Sequence, residues 1–266
     1  MNIYVLSLPD DHQRREALEL QFPRYAPKFR FIDAVDGRSA SPITDIPPCA
    51  KDRHRPLTGP EIACSLGHLK IFQSIVESKA NPTSFHLILE DDVIGDCGRL
   101  EKIGEILLAL PPKSLAILGG LQGMSRARHL HGFKSSRASV YRIPELQRRN
   151  LSRTCCYAVD FEMAKHLLQQ QQRCLHRADD WAALLKGEYN VFYSPVLAHP
   201  TADTANSHIE QGRSHQYNGG LIKRWYQDGW KESIGRPLTR IFTPFLARYL
   251  HLHRIHQGTE IDRPSA

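Results

Sequence analysis

The residues with the clearest capacity for chemistry are three consecutive carboxylates, Glu90, Asp91 and Asp92, which directly follow the apolar run Phe85-His-Leu-Ile-Leu89. The run reads as a short buried strand, and the acids therefore sit at its carboxyl end. In open α/β sheets that edge is where ligands bind. Side chains alternate along a strand, so Glu90 and Asp92 project to one side and Asp91 to the other. Adjacent negative charges repel, and each costs free energy unless solvated or neutralised. A divalent cation is a natural neutraliser, and hard oxygen ligands suit Mg²⁺ or Mn²⁺. The competing reading is a solvated acidic turn or helix cap.

The elements that would position these acids can be read from the pattern around them. Ile3 to Leu8 reads as a buried strand, with Asp10 or Asp11 capping the helix DHQRREALELQF. Phe29 to Val35 alternates like a second strand. The interval 38–60 carries five prolines and reads as loop. Thr58-Gly-Pro-Glu61 has the spacing of a capping box, and Ile62, Leu66, Leu69, Phe72 and Ile75 then recur at helical intervals. Further helices are expected at about 100–110 and 161–172. Strands are expected near 115–118, 139–143, 154–160 and 191–193. Residues 121–138 read as a polar, basic connecting loop. Strands alternating with helices imply a mainly parallel sheet covered on both faces.

Bulk properties narrow the class. A chain of 266 residues with 41% apolar content can build one large α/β domain. The net charge of +7 favours anionic partners. No basic, longer apolar export signal opens the chain, and no run reaches the roughly 18 apolar residues of a membrane span. The six cysteines show no CxxC pair and no zinc-site spacing, so they read as free thiols of a reducing compartment. The expected location is the cytoplasm, with peripheral attachment to the inner face of the inner membrane as an option. Residues 221–266 form a separate segment after a catalytic unit over 1–220. It carries apolar positions at helical spacing with interspersed arginines and nearby Trp225 and Trp230, a pattern suited to an anionic lipid surface. Packing of the same segment on the core is the alternative, and Pro237 and Pro244 would kink it. Nucleic-acid binding is not expected, because basic and aromatic residues are interleaved only there.

Several blocks, in order, resemble glycosyltransferase family 25, the group of bacterial lipooligosaccharide galactosyltransferases and collagen-modifying glycosyltransferases. They are IYVLSLPDDHQRREAL, FRFIDAVDG, LTGPEIACSLGHLKIF and LILEDDV, followed by RADDW and NSHIEQGR. The third is similar to the family segment LTxGEIGCxLSH. Pro60, Ala63 and Gly67 depart from its usual Gly, Gly and Ser, while His68 is retained.

The resemblance implies a GT-A-like nucleotide-sugar-binding fold and an inverting transfer from a UDP-sugar to a glycan or glycolipid acceptor of lipopolysaccharide, lipooligosaccharide or capsule. UDP-galactose is the leading donor, ahead of UDP-glucose and UDP-N-acetylglucosamine. It assigns Glu90 and Asp92 to the metal, with His199 as a third ligand, and Asp91 to the donor ribose. Ser7 near the end of the first strand, and Arg14 and Arg15 after it, are assigned to the donor, where a diphosphate or uridine would lie. Asp180, with Asp179 second, becomes the catalytic base. From residue types alone, however, these two aspartates read as the capping start of a helix, DDWAALL, and the arginines as solvated. Glu61 and His68 lie seven residues apart and share one helix face, with Glu61 completing the cap of Thr58. Two rivals remain. A nucleotidyltransferase of similar fold would want a Gly-rich phosphate loop that SLPDDHQRR lacks. A basic membrane-surface adaptor would leave the acidic triplet without a task.

Overall fold

The computed structural model describes residues 1–37, 57–78, 81, 83–122, 124, 126–135, 139–187, 189–200 and 252–255. Nine strands form one sheet: β1 (Asn2–Ser7), β2 (Phe29–Asp33), β3 (His86–Glu90), β4 (Ser114–Gly119), β5 (His131–Lys134), β6 (Tyr141–Arg142), β7 (Cys156–Val159), β8 (Asn190–Leu197) and β9 (His253–Arg254). The spatial order is β2-β1-β3-β7-β4-β8-β6-β5-β9. Five α-helices accompany it among the described residues: α1 (His12–Gln21), α2 (Gly59–Glu77), α3 (Cys97–Leu107), α4 (Phe161–Arg173) and α5 (Trp181–Leu184).

The chain is thus a mixed α/β protein with a large central sheet flanked by helices. β1 pairs in parallel with both β2 and β3, and β4 with β8. β7 lies antiparallel between β3 and β4, so β1, β2, β3, β4 and β8 all point the same way. Alternation within the strands divides the core in two. Tyr4, Leu6, Ile88, Ile117, Tyr157 and Tyr193 face α2, α4 and α5. Ile3, Val5, Leu87, Leu89, Ala116 and Leu118 face α1 and α3. Central strands covered on both sides have no polar face, which is why they read as unbroken apolar runs rather than alternating ones.

The capping box at α2 forms as its spacing predicts. The Glu61 amide donates to Thr58 Oγ1 at 3.3 Å and the Thr58 amide to Glu61 Oε2 at 3.1 Å. The far end of the sheet departs from expectation. The interval 121–138, expected to be loop, contains β5, which pairs with β6 and with β9. β9 comes from the C-terminal segment, and Ile255 beside it is 2% exposed. Part of that segment is therefore a sheet edge docked on the body, while the arginine-rich stretch expected to be helical lies outside the described residues. Four-residue strands of mixed composition carry too little periodicity to be recognised before their partners are known. The cysteines also depart from expectation in part. Cys64, Cys97, Cys155 and Cys156 are outside any disulfide, but Cys174 is disulfide-bonded to a partner outside the described residues. Local spacing could not reveal a pairing set by tertiary proximity. Among the described residues, no helix is long and apolar enough to cross a membrane.

Two features at opposite ends of the sheet make testable demands. His86 opens β3, is fully buried, and has its pKa lowered to about 4 from 6.5 by burial, with the amino terminus and Arg30 adding to the effect. The unfolded chain therefore takes up a proton at His86 as pH falls below 6.5, while the folded chain does not until about 4. Folding stability should fall by about 2 kcal/mol between pH 7 and pH 5 from this group. Urea titrations should show that His86→Phe flattens that part of the pH profile. Gly119 closes β4 with φ 143°, a region reserved for glycine, and a Cβ there would overlap the Leu197 carbonyl. Gly119→Ala should cost at least about 2 kcal/mol in the same assay.

Candidate active site

Alternation at the end of β3 splits the acidic triplet. Glu90 continues the Ile88 side, toward α2, and accepts a hydrogen bond from the Thr154 hydroxyl. Asp91 turns toward α1, where Arg14 donates to it at 2.9 Å. Asp92 returns to the Glu90 side and meets His199, with Nε2 to Oδ2 at 3.2 Å. Ligand-type atoms of Glu90, Asp92 and His199 all lie within 4.8 Å of one another.

His199 reaches the acids, 107 positions away in sequence from Asp92, because the backbone ties the two segments together. The Ile94 amide donates to the Ala198 carbonyl at 2.8 Å, and the Ala198 amide to the Ile94 carbonyl at 2.9 Å. On the other side of the same segment Gly120 donates to the Leu197 carbonyl at 3.2 Å. Gly120 has φ 77°, and a Cβ there would strike Cys155 Sγ. The two glycines at the end of β4 thus let the end of β8 pass close by and deliver His199 to the triplet.

The electrostatics reflect this arrangement. Burial pushes the Asp91 carboxyl above its usual range, an effect only partly offset by hydrogen bonds from Ser7 and Arg14. Burial also raises Asp92, but the hydrogen bond and charge of His199, with Arg14 and Arg153, outweigh it and hold Asp92 below its usual range. His199 shows the reciprocal shift: burial lowers it, yet Asp92 draws it above its ordinary value. Each group thus favours the charged form of the other. Asp92 Oδ1 is buried and has no hydrogen-bond partner. A buried carboxylate oxygen left unmatched is costly, and a cation would satisfy it. The residues therefore fit a divalent ion with two carboxylates and an imidazole. His199 Nδ1 lies 2.8 Å from the Pro200 carbonyl, so it can donate there and leave Nε2 as the coordinating atom once its proton is displaced.

The other sequence candidates occupy varied positions. Arg15 braces the ends of β1 and β2, donating to Ser7 Oγ and the Ser7 carbonyl at 3.3 Å and to Asp33 at 2.7 Å. Its guanidinium lies over the Phe31 ring, 4.9 Å from the centroid. Its bonding is thus within the fold, unlike that of Arg14, which reaches the triplet. Asp180 is the N-cap of α5, accepting from the Ala183 amide at 3.3 Å. Asp179 accepts from the Arg153 amide at 3.1 Å. Arg153 adjoins Thr154, the residue bonded to Glu90, so Asp179 connects to the cluster through the backbone of 153–154. His68 on α2 is 1% exposed, with Nε2 3.4 Å from Glu90 Oε1 and Nδ1 2.8 Å from the Tyr157 hydroxyl.

Residue-type reasoning missed Thr154 and Arg153. Arg153 adopts φ 66°, uncommon for a non-glycine residue, and donates to the Gly120 carbonyl at 3.0 Å. Its charge acts on both Asp92 and His199. Backbone strain of this kind clusters at functional sites, but nothing in Ser152-Arg-Thr154 announces it beforehand.

Comparison with known proteins bears on the geometry just described. No curated protein matches the chain at a significant level. Among solved structures, the crystal structure of mannose-1-phosphate geranyltransferase from Thermus thermophilus is similar at 14% identity and a TM-score of 0.31. That match covers 74% of this chain and 59% of the other, so this chain spans less than two thirds of that structure's length. The sequence model of glycosyltransferase family 25 (LPS biosynthesis protein) matches residues 1–182, which takes in β1, the acidic triplet and the Asp179-Asp180 pair. With well over half of its length so matched, the chain belongs to glycosyltransferase family 25.

Proposed function

We propose that this member of the family transfers a sugar, with galactose the leading choice, from a UDP-sugar to a glycan or glycolipid acceptor of lipopolysaccharide or lipooligosaccharide, with inversion at the anomeric carbon. The observation that carries the reading is the convergence of Glu90, Asp92 and His199 at the end of β3, with Asp92 Oδ1 buried and unmatched. Mn²⁺ or Mg²⁺ held there would act as Lewis acid on the departing diphosphate, whose negative charge grows in the transition state.

The chain's own residues supply the rest. Glu90 is oriented by the Thr154 hydroxyl and Asp92 by His199. Arg14 and Arg153 add positive charge beside the acids, where a diphosphate would arrive. Asp91, held by Arg14, is the acceptor for a ribose hydroxyl, and Ser7 lies beside it at the end of β1. A single displacement with inversion needs a base on the face opposite the leaving group, to take the acceptor hydroxyl's proton. Asp180 is assigned that role, with Asp179 second. The capping bond of Asp180 engages one carboxylate oxygen, and a carboxylate has two. Residues 221–251, outside the described residues, retain the proposed contact with an anionic membrane surface.

Thermal denaturation with UDP and Mn²⁺ should raise Tm, and Asp92→Ala should abolish the rise. A wild-type response in that variant would remove the cation from the site. A hydrolysis panel of UDP-galactose, UDP-glucose and UDP-N-acetylglucosamine should then single out the donor. Asparagine caps helices about as well as aspartate, so Asp180→Asn should fold normally. Its transfer rate should nevertheless drop by about 10²- to 10⁴-fold with donor binding unchanged. A wild-type rate would move the base to Asp179.

A further inference from the structure

A second group of metal-ligand atoms adjoins the first and shares only Glu90 with it; its other two members play no part in the transfer scheme. Cys64 and His68 lie four residues apart on α2, so they share one face. That face meets the end of β3, and ligand-type atoms of Cys64, His68 and Glu90 lie within 4.8 Å of one another. The key member is His68. Its ring is 1% exposed, and Nε2 is buried without a hydrogen-bond partner. Glu90 Oε1 is 3.4 Å from that nitrogen but is not aligned to accept a hydrogen bond. Nδ1 is engaged at 2.8 Å by the hydroxyl of Tyr157, itself fully buried. With Nδ1–H donating to Tyr157, Nε2 keeps a free lone pair within 4.8 Å of a carboxylate oxygen and the thiol. An imidazole whose outer nitrogen is fixed by a buried acceptor is the usual arrangement of a histidine ligand.

The donor set differs in kind from that of Glu90, Asp92 and His199. One sulfur, one nitrogen and one oxygen favour a borderline-soft ion that accepts tetrahedral coordination, which is the preference of Zn²⁺. Cys64 is outside any disulfide and only partly buried, so an ion has a route in. A carboxylate has two oxygens and can serve two cations.

We propose that Cys64, His68 and Glu90 form a second divalent-cation site, selective for a thiophilic ion such as Zn²⁺ and sharing Glu90 with the neighbouring cluster. The site requires no nucleotide and stands apart from the reading of the transfer reaction. The full chain, purified without chelator or thiol reductant and dialysed against Zn²⁺, should retain one tightly held equivalent by elemental analysis. Loading with Co²⁺ instead should produce a thiolate-to-cobalt charge-transfer band in the near ultraviolet. Cys64→Ser should remove that band and weaken Zn²⁺ binding at least tenfold, whereas Asp92→Asn should keep the band. In the wild-type chain Zn²⁺ should protect Cys64 from alkylation and leave Cys97, also partly exposed, unprotected. That measurement serves even where a substitution at α2 impairs folding. Absence of the band, its survival in Cys64→Ser, its loss in Asp92→Asn, or equal alkylation of Cys64 with and without Zn²⁺ would each overturn the proposal.

Discussion

Three negative charges in succession at the end of a buried strand are the constraint from which the local architecture follows. β3 is covered on both faces, so the carboxylates emerge where water is already scarce and repulsion is weakly screened. The fold separates them by strand alternation and gives each a different partner: Thr154 and His68 for Glu90, Arg14 for Asp91, His199 for Asp92. The compensation is incomplete. Asp92 Oδ1 and His68 Nε2 remain buried and unmatched, each in a residue clustered with Glu90. Unsatisfied buried polar atoms are few in native proteins and call for an explanation. The cations proposed above would match both atoms.

Much of the remaining structure serves to bring cationic and imidazole groups to that strand end. α1 follows β1 after a tight turn, which sets Arg14 beside β3 because β1 and β3 are neighbours in register, Leu6 opposite Glu90. α2 presents His68 because its capping box fixes where the helix begins and therefore which residues face inward. The mutual Ile94–Ala198 hydrogen bonds place His199, and the positive-φ glycines at the end of β4 clear its path. A separate clamp stabilises the region after α5. Arg148, 3% exposed, donates to the carbonyls of Leu185, Gly187 and Tyr189, so a buried guanidinium replaces the backbone partners this loop lacks. Its pKa is lowered by that burial, in keeping with a cation matched by carbonyl dipoles more than by an acid.

The elements legible in advance were those with strong local signals. β1 and β3 are dense apolar runs bounded by polar residues, and α2 combines a capping box with helical periodicity over five positions. The acidic triplet and its alternation could be read for the same reason, since direction within a strand is a local property. β5 and β9 could not, because strands of two to four residues exist only through their pairing. The disulfide at Cys174 and the strained backbone of Arg153 likewise depend on neighbours distant in sequence.

Sequence alone therefore determined the chemical type of the centre: carboxylates at a strand end, facing alternate sides, in a protein whose ordered blocks mark a glycosyltransferase family. It also put His199 forward among fourteen histidines, as a late histidine that follows a strand in a chain resembling that family. Tertiary structure set that residue beside Asp92, and also decided the separate contacts of Arg14 and Arg15 and the approach of His68 to Glu90. The physical reason is that secondary structure arises from interactions a few residues apart, whereas a binding centre depends on atoms brought together by long-range pairing. No local pattern encodes which strand ends will meet.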